Sequence, residues 1–279
     1  MKKRYLLLIP VLIVLTVWIW WGNSALMVEE IVVADEEIPA SFSGFRIAQV
    51  SDLHNTEFGE NNGKLLKLLA GTKPDIIVIT GDLVDARRMN FPLALEFVEK
   101  AVRIAPCYYV PGNHEGRTLN YPALERDLLA RGVRVLRNEK LSLTRNGEFI
   151  TLMGVDDPGL DLFQKLGPYE EIYQKRLKVL SEAREGYTIL LSHRPEDFDR
   201  YVAGEFDLVF SGHAHGGQMR LPLLGGVLAP GQGLFPEYDS GLYTRGDTSM
   251  VVSRGLGNSA FPFRINNRPE IILVVLKSA

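Results

Sequence analysis

All five histidines of the chain stand in short clusters with residues that can share a metal. They are His54 in Ser51-Asp52-Leu53-His54, His114 in Gly112-Asn113-His114-Glu115, His193 after Ser192, and His213 and His215 in Gly212-His213-Ala214-His215-Gly216-Gly217. Gly81-Asp82-Leu83-Val84-Asp85 adds two carboxylates. Imidazole, carboxylate and the single amide of Asn113 are the ligand types that borderline first-row metals prefer. A lone histidine is more often a hydrogen-bonded structural residue. Acid, amide and imidazole recurring together in order are a far stronger signal than any one of them.

Such a set could hold two divalent ions, which bind phosphoryl oxygens, activate water and stabilise an in-line displacement when roughly 3.5–4 Å apart. With only Asp52 and Asp82 as charged ligands the centre stays net positive, which suits a phosphate ester. A protonated imidazole could then donate to the departing alkoxide. His114 is the candidate, because it follows Asn113 and Asp85 could hold its ring.

Strands must bring these clusters together. The segments 46–51, 75–80, 107–110, 187–191 and 206–210 read as strands, and a cluster follows each one. The continuous apolar run at 75–80 marks a strand buried on both faces. Helical patterns at 62–70, 92–103 and 122–131 alternate with the first three strands, which implies parallel pairing with helices outside. Ligands bind outside the carboxyl ends of such strands. In extended backbone, residues two apart face the same way, so Asp52 and His54 could reach one metal together. The glycines before Asp82, Asn113 and His213 allow tight turns. Further on, Asn146-Gly147 announces a hairpin between 141–144 and 149–153, and 168–184 reads as a long amphipathic helix. Residues 250–253 and 270–276 are expected as terminal strands, and 216–249 is rich in Gly and Pro with little periodicity.

The order Asp-x-His, Gly-Asp-x-x-Asp, Gly-Asn-His-Glu, Ser-His and Gly-His-x-His resembles that of the calcineurin-like metallophosphoesterases, over about residues 45–276. Gly212-His-Ala-His-Gly-Gly-Gln218 and Ser253-Arg-Gly-Leu-Gly-Asn258 resemble the YkuE/YaeI-type membrane-anchored bacterial branch. The resemblance implies a four-layer α/β/β/α sandwich. It implies a first metal on Asp52, His54, Asp82 and His215, and a second on Asp82, Asn113, His193 and His213, with Asp82 bridging. It makes His114 the proton donor. The native metal stays open among Mn, Fe, Zn and Co, since availability decides between them as much as ligands do.

Other polar residues have ordinary readings beside functional ones. Asp85 could be a simple cap. Glu115 could cap the next segment or shape the pocket. Asp156 and Asp157 look like a turn first. Arg254, Asn258 and Arg264 could reach substrate phosphate, although structural ion pairs are the commoner fate of arginine. Phe235 and Tyr238 could line a lid or simply pack.

The chain has 279 residues, 46% hydrophobic and 23% charged, as in an ordinary globular protein with a substantial core. A net charge of −3 carries no footprint of a nucleic-acid partner. Cys107 is alone, cannot form an internal disulfide and lies in an apolar run, as a buried thiol does. Residues 5–21 carry Thr16 as their only polar side chain besides the Tyr5 hydroxyl. A spanning helix needs about 20 apolar residues, with ~17 at the short end. Trp18, Trp20 and Trp21 cluster where a lipid–water boundary would lie, and Lys2, Lys3 and Arg4 precede the run. The expected division is therefore an N-terminal transmembrane anchor over 1–25, an acidic linker over 26–43 that could include an edge strand, and the catalytic domain over 44–279. The domain is expected outside the cytoplasmic membrane on a single-pass uncleaved anchor, with a cleaved signal peptide as the rival reading.

The expected function is that of a membrane-anchored dimetal phosphoesterase, with lipid-linked diphosphates and cell-wall phosphates among the substrates implied by the branch. The alternatives are a non-catalytic envelope-binding protein on the same fold and a nucleotide phosphodiesterase. The complete ligand set argues against the first. The anchor and the lack of basic surplus argue against the second.

Overall fold

The computed structural model describes residues 2–164, 168–258 and 261–279, without the side chains of 2–8, 162–164 and 169. Helix α1 (Lys2–Ser24) leads into β1 (Met27–Asp35). Then follow β2 (Arg46–Val50), α2 (Gly63–Gly71), β3 (Ile76–Thr80), α3 (Phe91–Ala101), β4 (Cys107–Val110), the single turn α4 (Asn113–Gly116), α5 (Tyr121–Ala130) and β5 (Arg134–Val135). The second half begins with the hairpin β6 (Glu139–Arg145) and β7 (Glu148–Gly154), with Asn146 and Gly147 at φ 51° and 86° as a type I′ turn requires. It continues through α6 (Pro158–Gln164), α7 (Tyr169–Glu182), β8 (Thr188–Leu191), α8 (Phe198–Ala203) and β9 (Leu208–Ser211). Short hairpins follow, β10 (Arg220–Leu221) with β11 (Gly225–Gly226) and β12 (Leu228–Ala229) with β13 (Gly233–Leu234), before β14 (Gly241–Arg245), β15 (Thr248–Val252) and β16 (Glu270–Ser278).

Two six-stranded sheets form, ordered β1-β16-β2-β3-β4-β5 and β14-β15-β9-β8-β7-β6. Their pleats explain the continuous apolar strands. Ile47, Ile76, Val78, Ile189, Leu191, Leu208, Phe210, Val251, Ile272 and Val274 meet in one core between the sheets. The alternate residues Ala48, Val50, Ile77 and Ile79 pack under α2, α3 and α5, while Leu190, Val209, Met250 and Val252 pack under α7 and α8. Buried on both faces, these strands have no polar side to show. The result is four layers, helix, sheet, sheet, helix. The sheets are mixed, because β16 pairs antiparallel with β2, and both β6–β7 and β14–β15 are antiparallel. Gln49 ties the layers together, donating from Nε2 to Thr80 Oγ1 and to the Ser211 carbonyl, each at 2.9 Å.

The edge strand that the expected 26–43 linker could include is present, and it makes this stretch part of the domain. Residues 27–35 pair with β16 along all of β1, so this stretch is an edge strand of the domain. Its acidic residues lie on a strand with one solvated edge, which is why it read as a connector. Cys107 is buried, and burial pushes its thiol up to about 12.

Among the described residues no helix is long and apolar enough to cross a membrane. The side chains of 2–8, which include the basic residues and part of the expected span, lie outside the described residues.

Candidate metal centre

The loops after β2, β3, β4, β8 and β9 meet at one end of the sandwich. Asp52, His54, Asp82, Asn113, His114, His193, His213 and His215 are all at most 5% exposed there. Their ligand atoms gather in three groups, Asp52–His54–His215, His54–Asp82–His114 and Asp82–His193–His213, each within 4.8 Å of one another. Asp82 joins the two ends, with Oδ2 3.5 Å from His54 Nε2 and 3.4 Å from His193 Nε2. Asp52 Oδ1 lies 3.4 Å from His215 Nε2. Asn113 Oδ1 lies 3.1 Å from His193 Nε2, which is itself 3.1 Å from His213 Nδ1.

The donor set fits divalent cations. Ring nitrogens face one another, His54 Nε2 and His215 Nε2 at 3.2 Å, and Asp52 Oδ1 is buried with no hydrogen-bond donor. Converging lone pairs in a dry site call for positive charge. On the outer side, His193 Nδ1 lies 2.7 Å from the Thr80 carbonyl. That carbonyl can only accept, so Nδ1 carries the proton and Nε2 offers its lone pair inward, the arrangement typical of metal-bound imidazole. His213 has the Glu196 carboxylate 3.7 Å from its outer Nε2.

The expected extended spacing is not how the ligands converge. Asp52, His54, Asp82, His213 and His215 have φ of 52°, 47°, 52°, 63° and 49°, all in the left-handed region. Non-glycine residues there cost of order 1–3 kcal/mol each and persist only when their surroundings hold them. Here the ligand loops hold each other. Asp52 N–H donates to Gly81 O, His54 N–H to Asp82 O, and His213 N–H to Asp52 Oδ2. His114 N–H donates to Asp82 Oδ1, and Leu256 and Gly257 N–H donate to the carbonyls of Ser51 and Asp52. The glycine expectation holds in its stated form only at Gly81, with φ 90°. Gly112 is extended, and its need for glycine is the close approach of Asp82.

Burial alone would push the Asp52 and Asp82 carboxyls up, but the surrounding imidazoles outweigh it and hold both well below the usual range. Burial likewise opposes protonation of His54 and His193. The carboxylates beside them prevail, raising His54 and carrying His193 up to about 10. Burial dominates at His213, held well below the ordinary value, and at His215, held down to about 3. Glu115 is pushed up to about 7 by burial and the Asp82 charge. It accepts backbone N–H from Gly112, Asp82 and Val84 and so clamps two ligand loops together.

His114 Nδ1 accepts the Ala86 N–H at 3.1 Å and lies 3.4 Å from Asp85 Oδ1. Asp85 is also held by the Arg87 N–H and by Arg88. The expected Asp85 contact exists, and the Ala86 N–H shares the same nitrogen.

A cleft of about 320 Å³ opens over the ligands. Besides them it is lined by Arg87, Arg117, Gln218, Leu228, Pro230 and Phe261. Two of them had a signal in the sequence: Arg87 follows the Asp82–Asp85 cluster, and Gln218 closes the Gly212–Gln218 motif. The other candidate phosphate contacts lie elsewhere. Arg264 is fully buried and donates to the carbonyls of Arg254 and Gly257 and to Asn258 Oδ1. Arg254 pairs with Glu29 and Glu270. Asp156 pairs with Arg137, and Asp157 with Arg194. Tyr238 is core, edge-on to Phe198 and Tyr243, whereas Phe235 is exposed.

Comparison with known proteins agrees with this geometry. The family model described as calcineurin-like phosphoesterase matches residues 45–217. The metallophosphoesterase YkuE of Bacillus subtilis is 32% identical over 86% of this chain and 82% of its own. Phosphodiesterase YaeI of Escherichia coli is 28% identical over 83% and 82%. Among solved structures, TT1561 of Thermus thermophilus shares the fold, with a TM-score of 0.51 at 15% identity over 77% of this chain and 91% of that one. With its ligand clusters inside the matched region, the chain belongs to the calcineurin-like phosphoesterases and is a metal-dependent phosphoesterase.

Proposed function

We propose that the protein is a membrane-tethered dimetal phosphoesterase whose active site lies outside the cytoplasmic membrane, acting on a lipid-linked or other cell-envelope phosphate ester. The observation that carries the dimetal reading is the position of Asp82, between one ligand group ending in His54 and His215 and another ending in His193 and His213. Asp52, His54, Asp82 and His215 would hold one ion, and Asp82, Asn113, His193 and His213 the other. Bound there, two divalent cations supply Lewis acidity and an activated water.

The chain's own residues do the rest. Arg87 and Arg117 at the rim offer planar forks that match phosphate oxygens. His114 donates a proton to the leaving oxygen. Burial depresses its pKa against the pull of Asp82 and Asp85. In the neutral ring Nδ1 accepts from Ala86, so the remaining proton sits on Nε2. In the protonated ring Nδ1–H has Asp85 Oδ1 as its acceptor.

Support for the tether comes from α1. Ile9, Leu12, Ile13, Val14, Val17 and Trp20 are exposed along it. Its two described hydroxyls turn back on the helix, with Thr16 Oγ1 donating to Leu12 O and Ser24 Oγ to Trp20 O. That is how hydroxyls are satisfied in lipid. The direct test of function is hydrolysis of an aryl phosphodiester by the full chain with added Mn²⁺. Absence of turnover with Mn²⁺, Fe²⁺, Zn²⁺ and Co²⁺ alike would sink the catalytic reading.

A further inference from the structure

Beside the metal cleft the chain places apolar side chains where turns are ordinarily polar. β10 and β11 are joined through Leu221-Pro222-Leu223-Leu224, closed by the Leu224 N–H to Leu221 O at 3.2 Å. Leu223 sits at φ 69°, in a turn position that favours glycine or asparagine, and its side chain is fully exposed at 105%. Leu224 is 66% exposed. In the next hairpin Phe235 is also left-handed, at φ 53°, and 58% exposed. Phe261 and Phe263 stand edge to face with ring centres 6.5 Å apart, both exposed. Single exposed apolar residues need no explanation, but a contiguous set marks an interaction surface.

Hydrogen bonds connect this set to the end of α1. Asn23 Oδ1 accepts from Arg264 N–H at 2.8 Å and from Asn258 Nδ2 at 2.9 Å, and its own Nδ2 reaches Arg264 O. Arg268 lies 4.8 Å over the Trp21 ring and donates to the carbonyls of Ala25 and Leu26. From there Gln218 Nε2 donates to Phe263 O, and Arg220 N–H to Ile265 O, at the foot of the Leu-rich turn. Val227 N–H donates to Met219 O and Phe235 N–H to Val227 O, so hydrogen bonds link the end of α1, the 261–265 segment, the leucine turn and Phe235, and the exposed apolar side chains stand along these linked segments. Arg264, the hub of these contacts, is fully buried.

We propose that the 221–224 turn, together with Phe235, Phe261 and Phe263, inserts into the outer face of the bilayer that α1 crosses and seats the metal cleft on the lipid headgroups. This rests on the tether reading of α1. The occupant is lipid because the surface continues an apolar helix and ends at its tryptophans. Phe261 also lines the cleft, so an amphiphile could bring its phosphate to the ligands while its chain stays in the bilayer.

The test uses the full chain in phosphatidylcholine–phosphatidylglycerol liposomes, carrying an environment-sensitive fluorophore at one of three cysteines, Leu223→Cys, Val14→Cys or Glu185→Cys. Glu185 precedes β8 and so lies at the end of the sheet away from the ligands. Doxyl-labelled lipids should quench the probes at 223 and 14 and leave the one at 185 unchanged. A shielded 14 with a water-exposed 223 overturns the insertion and leaves the tether standing, whereas water-exposed probes at both overturn both. Independently, Leu223→Asp/Leu224→Asp should keep turnover of a soluble aryl phosphodiester and lose at least about tenfold on a long-chain alkyl phosphate ester presented in vesicles. Equal activity on both substrates overturns the seating of the cleft, and loss on both points to a role within the catalytic site instead.

Discussion

The Asp82 carboxylate fills the space in which any side chain on residue 112 would have to grow. A Cβ on Gly112 would lie 2.7 Å from the Asp82 nitrogen and 2.9 Å from its Cγ. The two residues sit at the ends of neighbouring strands, β3 and β4, paired in parallel. Glycine at 112 thus lets the carboxylate reach the midpoint between His54 and His193.

Three substitutions should expose that arrangement. Asp82→Asn removes the shared charge and should lower occupancy at both metal positions, whereas His54→Ala should mainly affect one. Gly112→Ala keeps every ligand but displaces Asp82, and should resemble Asp82→Asn more than His54→Ala. Elemental analysis decides it. Two metals per chain in Asp82→Asn would count heavily against a bridging role.

What the sequence made legible was local. Ile76 to Thr80 announced a strand because both faces are buried, and the ligand clusters announced themselves because each lies within a few residues of a strand end. β1 was legible only as a possible edge strand within a linker, because Glu29, Glu30 and Asp35 sit on a strand with a solvated side, and charge there reads like a linker. α4 and α6 are too short to show a helical period. The left-handed backbone at Asp52 and His215 had no signature either, since it is imposed by contacts between loops far apart in sequence. Arg117 and Phe261 reach the cleft by tertiary placement alone, and Arg264, for which a structural role was the commoner reading, has all three acceptors in the loop it supports.

Glu270 gives a stability test at a carboxylate outside the ligand set. It is fully buried, and burial raises its carboxyl from 4.5 to about 7 despite Arg254. A carboxyl raised on folding holds its proton more tightly in the folded chain. Stability should therefore fall as pH climbs from 4.5 towards 7, and the loss is complete above that. Glu270→Gln should flatten this window by up to about 3 kcal/mol. Melting temperatures of the two proteins that run parallel across it would show that Glu270 is not the group responsible.

The proposed tether predicts a topology that can be tested directly. With the basic residues inside, the domain should be digested when protease is added to intact cells stripped of their outer layers. Protection would reverse the orientation. Release of a soluble domain with a new N-terminus near Leu26 would show a cleaved leader in place of a tether.

His114 carries the last prediction. If it donates a proton and is not a metal ligand, His114→Ala should keep both metals and lose rate, by the ~10²–10⁴-fold typical of general acids. The loss should depend on the leaving group. An alkyl alkoxide needs a proton to depart, while p-nitrophenolate barely does, so the alkyl ester should suffer far more. The direction of its pKa adds a second mark. Burial holds the ring below the ordinary histidine value, and nearby cations would push it the same way. The protonated donor is then lost early as pH rises, and the alkyl-to-aryl rate ratio of the native enzyme should fall from acidic towards neutral pH. In His114→Ala that slope should vanish. The one competing role in the geometry is ligation, since His114 shares a group of ligand atoms with His54 and Asp82. Metal loss in the variant, or equal losses on both esters, would assign the residue to the metal and leave the proton to come from water.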